Sequence, residues 1–244
     1  MELFSFITPA ALALYCAVIF GANVIQALTG FAGTLLTLPP CILLFGPDLA
    51  KALANVLGLL LCGAVAWQNR AWLDRRRLAH ILGLMLLGMA AGVWLYARLD
   101  ASVLIPLYGA LLIAVALKNL LVHSEKRLPA PLLTAILPAA GIIHGLFVSG
   151  GALLVVYLAA VFRDKHAFRA NAAAVWTALN PLLMISDWSR GVYTAEFAVL
   201  LLAALPFLAA AVWLGNRIHE RISQSLFRRI TYGLLLLSGA MLFA

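Results

Sequence analysis

Long apolar runs separated by short polar stretches fill the chain. They cover residues 3–45, 50–67, 78–96 and 103–121, then, beyond a polar linker at 123–128, residues 131–162, 167–185, 195–214 and 226–243. The uninterrupted runs approach the about 20 residues that an α-helix needs to cross a bilayer. The pattern predicts an all-α polytopic membrane protein of about eight membrane segments. The first run of each series is broken, at Gly30 and Gly33 and again by Gly141, Gly145, Gly150 and Gly151. Glycine costs a helix interior about 1 kcal/mol against alanine, so clusters of it predict helices that break. Within a membrane, freed backbone is tolerated only where protein covers it or it lines a wet cavity, so both regions are expected to be broken or re-entrant.

Composition agrees with the pattern. The chain is 65% hydrophobic and 11% charged with a mean hydropathy of +1.04, against about 25% charged residues in soluble domains. Its 244 residues are taken up by membrane segments, which leaves no soluble domain and makes the lipid bilayer the surroundings. The net charge of +8 does not point to nucleic acid, because the basic residues lie in short loops, where they orient membrane segments. The N-terminal run has no Lys or Arg ahead of it and reads as a retained segment rather than a cleaved signal. Cys16, Cys41 and Cys62 all fall within apolar runs without metal-ligand spacing, so neither a disulfide, a metal nor a cofactor is expected.

The order of elements repeats, dividing the chain into a first repeat at 1–122, a cytoplasmic linker at 123–130 and a second repeat at 131–244. Each repeat is a broken hairpin followed by three helices. LTGFAGTLL from Leu28 lies over LFVSGGALL from Leu146, pairing Gly33 with Gly151. Asn55 then falls on Asn171, Trp94 with Arg98 on Trp213 with Arg217, and Tyr108-Gly109 on Tyr232-Gly233. Matching loops carry opposite charge. Residues 69–77 hold four Arg against one Asp, whereas 186–196 hold one Arg against two acids. Residues 45–51 and 98–102 are neutral, whereas 162–169 hold three bases against one Asp and 217–229 four Arg against one Glu. By the positive-inside rule the repeats are inverted, as in many secondary transporters, and both termini are expected on the outer, periplasmic side.

The candidate chemistry lies at the two breaks. His144 is the histidine well inside an apolar run, and its charge can change near neutral pH, which makes it the candidate for proton coupling. No Asp or Glu lies in the middle of a run, which favours an anionic or neutral substrate over a cation. Helix N-termini can hold an anion through free N–H groups and the helix dipole, and those after Gly33 and Gly151 would do so here. Gln26, Thr29, Gly33 and Thr34 from the first break, His144, Ser149, Gly150 and Gly151 from the second, and Asn55 and Asn171 from the helices that follow are the expected substrate-binding residues. Gly141 and Gly145 also match a helix-packing motif, the bland reading of that stretch. Arg98 and Arg217 sit at segment ends, where snorkelling is the default. No HExxH, G-x-S-x-G, P-loop or paired intramembrane Asp is present, so an enzyme is not expected.

Gly141, Gly145 and Ser149-Gly150-Gly151, followed by Arg169-Ala170-Asn171, resemble the glycine-rich second-repeat motif of the sulfite exporter (TauE/SafE) family. The usual three-glycine run is Phe-Ala-Gly in the first half and Ser-Gly-Gly in the second. The proline expected soon afterwards is present as Pro39 but has no counterpart near Tyr157. The resemblance implies an inner-membrane transporter of small sulfur-containing anions, such as sulfite or an organosulfonate. Alternating access of the two halves, driven by a proton gradient, is the expected mechanism. A passive anion channel and an intramembrane enzyme are the rival readings, and homo-oligomerisation stays open.

Overall fold

A computed structural model describes residues 7–121, 129–162 and 164–218, together with the separate positions 221, 233, 236–237, 239–240 and 242–243. Most of the last apolar run, most of the basic stretch that begins at Arg217, the interior of the linker and Arg163 lie outside the described residues. Among the described residues the fold is all-helical, with no strand.

Thr8 starts α1, Pro9–Thr29, its hydroxyl accepting a hydrogen bond from the Ala11 amide at 3.2 Å, with proline in the first turn. The helix ends on Gly30 at φ 82°, a left-handed cap whose N–H bonds the Gln26 carbonyl. After a three-residue break, α2, Gly33–Phe45, starts afresh and ends at Gly46. Pro47 opens α3, Pro47–Gln68, and Asp74 caps α4, Arg75–Tyr96. A turn leads into α5, Ala101–Leu121.

The second series repeats the break. α6, Ala130–Phe147, ends on Val148 at φ 53°, and α7, Gly151–Val161, begins three residues later. Asp164 caps α8, Lys165–Ser189, accepting from the His166 and Ala167 amides. Those hydrogen bonds, led by the one from Ala167, hold its carboxyl below the usual carboxylate range. α9 then covers Ala195–Ile218.

By length and apolarity α1, α3, α4 and α9 can cross a membrane, while α2 and parts of α5 and α6 are shorter apolar helices. Among the described residues four helices therefore qualify on these criteria, against the eight segments expected of the whole chain. In the most apolar window of α3, 72% of residues are buried, against 28% in α4 and α9, which places α3 at the centre. α8 packs along α3. Outward faces carry Leu14, Leu87, Trp94, Ile185, Leu202 and Trp213 exposed, the surface that lipid would cover.

Two flanking pairs hold the breaks in place: α1 lies against α9, and α6 against α4. Small residues set the second crossing. A Cβ added to Gly88 or Gly92 would lie 1.9 or 2.2 Å from the carbonyl oxygen of Pro138 or Ile142, and one on Gly141 2.1 Å from that of Met85. The backbones therefore touch, and the packing reading of Gly141 and Gly145 accounts for those two glycines. It leaves Gly150 and Gly151 to be explained by the break itself.

Candidate functional site

The two breaks meet. A Cβ on Gly151 would stand 3.0 Å from the Phe31 carbonyl oxygen, so the start of α7 abuts the first break directly. Gly150 is pressed against the preceding helix, where a Cβ would come within 2.3 Å of the Ala140 carbonyl. The long central helices tie off the broken ends. Trp176 on α8 donates its indole N–H to the Gly30 carbonyl at 2.9 Å, and Lys51 on α3 donates to the Gly145 carbonyl at 2.9 Å. These are end-of-helix carbonyls without an intrahelical partner, which a cation or N–H donor suits.

Beside the junction lies a cramped cavity of about 10 Å³, room for about one water, lined by Gln26, Phe31, Thr34, Gly58, His144, Val148, Trp176 and Asn180. The His144 ring packs on Trp176 with centroids 4.9 Å apart, and it is 1% exposed. Neither of its ring nitrogens has a hydrogen bond of good geometry, although the Asn180 amide and the Val148 backbone face the ring. Asn180 and Asn55 clasp across the α3–α8 contact, each donating its amide N–H to the other's backbone carbonyl at 3.2 Å. That fixes which end of each amide is nitrogen and leaves both Oδ1 atoms buried without a donor.

The remaining sequence candidates sit around this core with other partners. Gln26 uses its oxygen to cap the Gly33 N–H and its nitrogen to reach Cys62 Sγ at 3.1 Å, so it holds the first break together. Thr29 back-bonds to the Ile25 carbonyl at 2.8 Å and accepts from Phe31 and Ala32. Ser149 bonds the Phe147 carbonyl and the Tyr108 hydroxyl, at 2.8 and 2.9 Å. Asn171 does not line the cavity. Its amide binds the Trp72 and Ala167 carbonyls and accepts from Asp74 N, fastening the loop between α3 and α4.

Four polar residues near the breaks escaped the sequence reading. Lys51 and Arg169, placed there in flanking loops, are buried at 4% and 5% exposure. Substrate charge therefore need not be balanced by helix ends and neutral donors alone, as the sequence suggested. Asn180 and Asp187, both 2% exposed, are the others. The signal was helical spacing: Lys51 precedes Asn55 by four residues and Trp176 precedes Asn180 by four, so each pair shares a face. Arg169 is held by Asn216, which in turn bonds Gln68.

Around Lys51 the charges gather. Its ammonium lies 3.6 Å from the centroid of the Tyr96 ring. Asp187, Arg190 and Asp48 act on it. Arg190 pairs with Asp48, which also accepts from the Tyr96 hydroxyl at 2.9 Å. In the α8–α9 loop, burial, reinforced by the Asp187 charge, pushes the Tyr193 phenol up to about 12.

Long apolar helices around a buried polar junction of two broken ones define a multi-pass helical membrane protein. Within that class the chain belongs to the sulfite exporter TauE/SafE family of membrane transport proteins, whose model matches residues 15–242. No curated protein and no solved structure matches it.

Proposed function

We propose that the chain is a secondary transporter that moves a small sulfur-containing anion, sulfite or an organosulfonate, across the bacterial inner membrane by alternating access, coupled to protons. The observation that carries this is the junction of the two breaks beside a small cavity lined by polar groups from both breaks and from α3 and α8. The cavity is too small for the anion in this conformation, so its buried, unfilled hydrogen-bonding groups would receive substrate only as the breaks part.

The two halves would be inverted repeats that rock about this cavity, with both termini periplasmic. Two features support that. α1 packs on α9 as α6 packs on α4, which a two-fold relation of the halves requires. The breaks end on Gly30 and Val148, positions that coincide when the sequences are overlaid, and both are left-handed. Substrate would first meet Gln26, Thr34, His144 and Asn180, with Asn55 behind Asn180. Thr29, Gly33, Ser149, Gly150, Gly151 and Asn171 would shape the site in this conformation and come into contact only as the breaks move.

Reconstitution into proteoliposomes tests the reading. Sulfite, sulfonates, thiosulfate and sulfate are offered with a carboxylate control, with and without a pH gradient. A sulfur anion should show saturable uptake and counterflow. Flux without saturation or counterflow indicates a channel, and movement of the carboxylate alone, or of nothing, removes the sulfur-anion assignment.

A further inference from the structure

Two buried charges of opposite sign lie in one neighbourhood without touching. Asp187 is the buried carboxylate among the described residues; its Oδ2 has no hydrogen bond of good geometry, although the Asn55 amide faces the carboxylate. Lys51 is the nearby buried ammonium, and the hydrogen bond it makes, to Gly145, leaves further N–H donors to spare. The pair does not close to a salt bridge: among the described residues the bridges are Arg77–Asp74 and Arg190–Asp48. Arg190 is thus engaged by Asp48, and Tyr96 lies between that surface pair and Lys51.

Lys51 also borders a second, narrow and mainly apolar cavity of about 10 Å³, together with Tyr96, Tyr108, Leu146 and Phe147. Tyr108 bonds Ser149, so this cavity reaches the second break, and the Lys51 charge is felt by His144 on the first cavity. The ammonium therefore stands between Asp187 and the space next to both breaks.

Resting on the transporter reading above, we propose that Lys51 is the cation that binds the substrate anion and that Asp187 carries the coupling proton. An isolated charge in a membrane interior is costly, so the site tends to neutrality. Without substrate, the Asp187 carboxylate balances Lys51. When a monoanion binds the ammonium, the carboxylate becomes the uncompensated charge and takes up one proton from the aqueous face, forming its O–H. Leaving the site reverses both steps: the anion departs and the carboxyl gives its proton back. Each cycle then moves one proton with one monoanion and no net charge. His144 takes no part in this exchange, since an imidazolium there would add a positive charge beside Lys51. The charged and titratable groups facing Asp187 are Lys51 and Asp48 from α3, Arg190 at the end of α8 and Tyr193 from the following loop.

The full chain in proteoliposomes, with radiolabelled sulfite or methanesulfonate, decides the matter. Asp187→Asn mimics the protonated carboxyl: uptake driven by a pH gradient should fall about tenfold while counterflow stays within about twofold, because neutralising the acid spares the buried cation. Asp187→Glu should keep the gradient response, and Lys51→Met should lose counterflow. Methanesulfonate uptake should not respond to a potassium diffusion potential set with valinomycin. Gradient-driven uptake that survives Asp187→Asn, or a gradient response that is lost in His144→Ala while counterflow is kept, overturns the pair. So does loss of counterflow in Asp187→Asn with unchanged thermal stability. If that variant is destabilised, Asp187→Glu decides: loss of gradient response counts against the pair and retention counts for it. Absence of counterflow for both anions in the wild type defeats the transport reading itself.

Discussion

Gly30 and Val148 each turn the chain into the left-handed region where a helix has to stop, yet only one of them is a glycine. A β-branched residue in that conformation carries about 1–2 kcal/mol of steric cost. The neighbours of Gly30 add to it, since a Cβ there would meet Ala172 and the Arg169 carbonyl at 3.2 Å. Gly30→Ala should therefore lower stability by about 1–2 kcal/mol, read as a lower thermal midpoint in detergent. At this scale the sequence was partly legible. His144 stood out as a histidine inside an apolar run, and it lies beside the junction. Asn55 and Asn171 looked equivalent because they coincide in the overlay, but Asn55 clasps Asn180 whereas Asn171 fastens a loop. A repeat gives two residues the same place on matching helices without giving them the same neighbours. Lys51 and Asp187 were hidden for a different reason. Each lies within one or two turns of a helix end, where charges in a membrane protein commonly reach the interface, and only the packing of α3 against α8 shows them to be buried.

Among the elements, the α4–α6 crossing depends on backbone contact, as Gly88, Gly92, Gly141 and Gly145 show. Gly141→Ala should separate the helices and lower the thermal midpoint sharply. Gly83 lies on the same α4 with nothing within 4 Å of its added Cβ, so Gly83→Ala should leave the midpoint unchanged or raise it slightly. Equal effects of the two substitutions would show that close approach does not hold the crossing. The runs at 50–67, 78–96 and 103–121 correspond to α3, α4 and α5 within a few residues, because apolar length and Pro or Gly punctuation mark helix ends strongly. The places of the breaks were also legible, from Gly30 and Gly33 and from Gly150 and Gly151. Which glycines break a helix and which let two helices touch was not, because both uses leave the same residue in the same apolar context.

At the scale of the molecule, inversion of the halves makes a topological prediction. Cys16, Cys41 and Cys62 are buried, so an introduced surface cysteine can be followed against a quiet background. Ala71→Cys and Ser189→Cys, at exposed positions, should react with a membrane-impermeant thiol reagent from opposite sides of the bilayer. Labelling from one side would exclude the inverted arrangement. The reciprocal amide bonds of Asn55 and Asn180 bear on how such halves could move. Because each side chain grips the other helix's backbone at one level, sliding α3 along α8 would break both bonds at once, whereas tilting the helices about that level strains them least. In the proposed rocking the pair would act as the pin of a pair of scissors, fixing the height of the fulcrum while the helix ends, with Asp187 at one of them, swing.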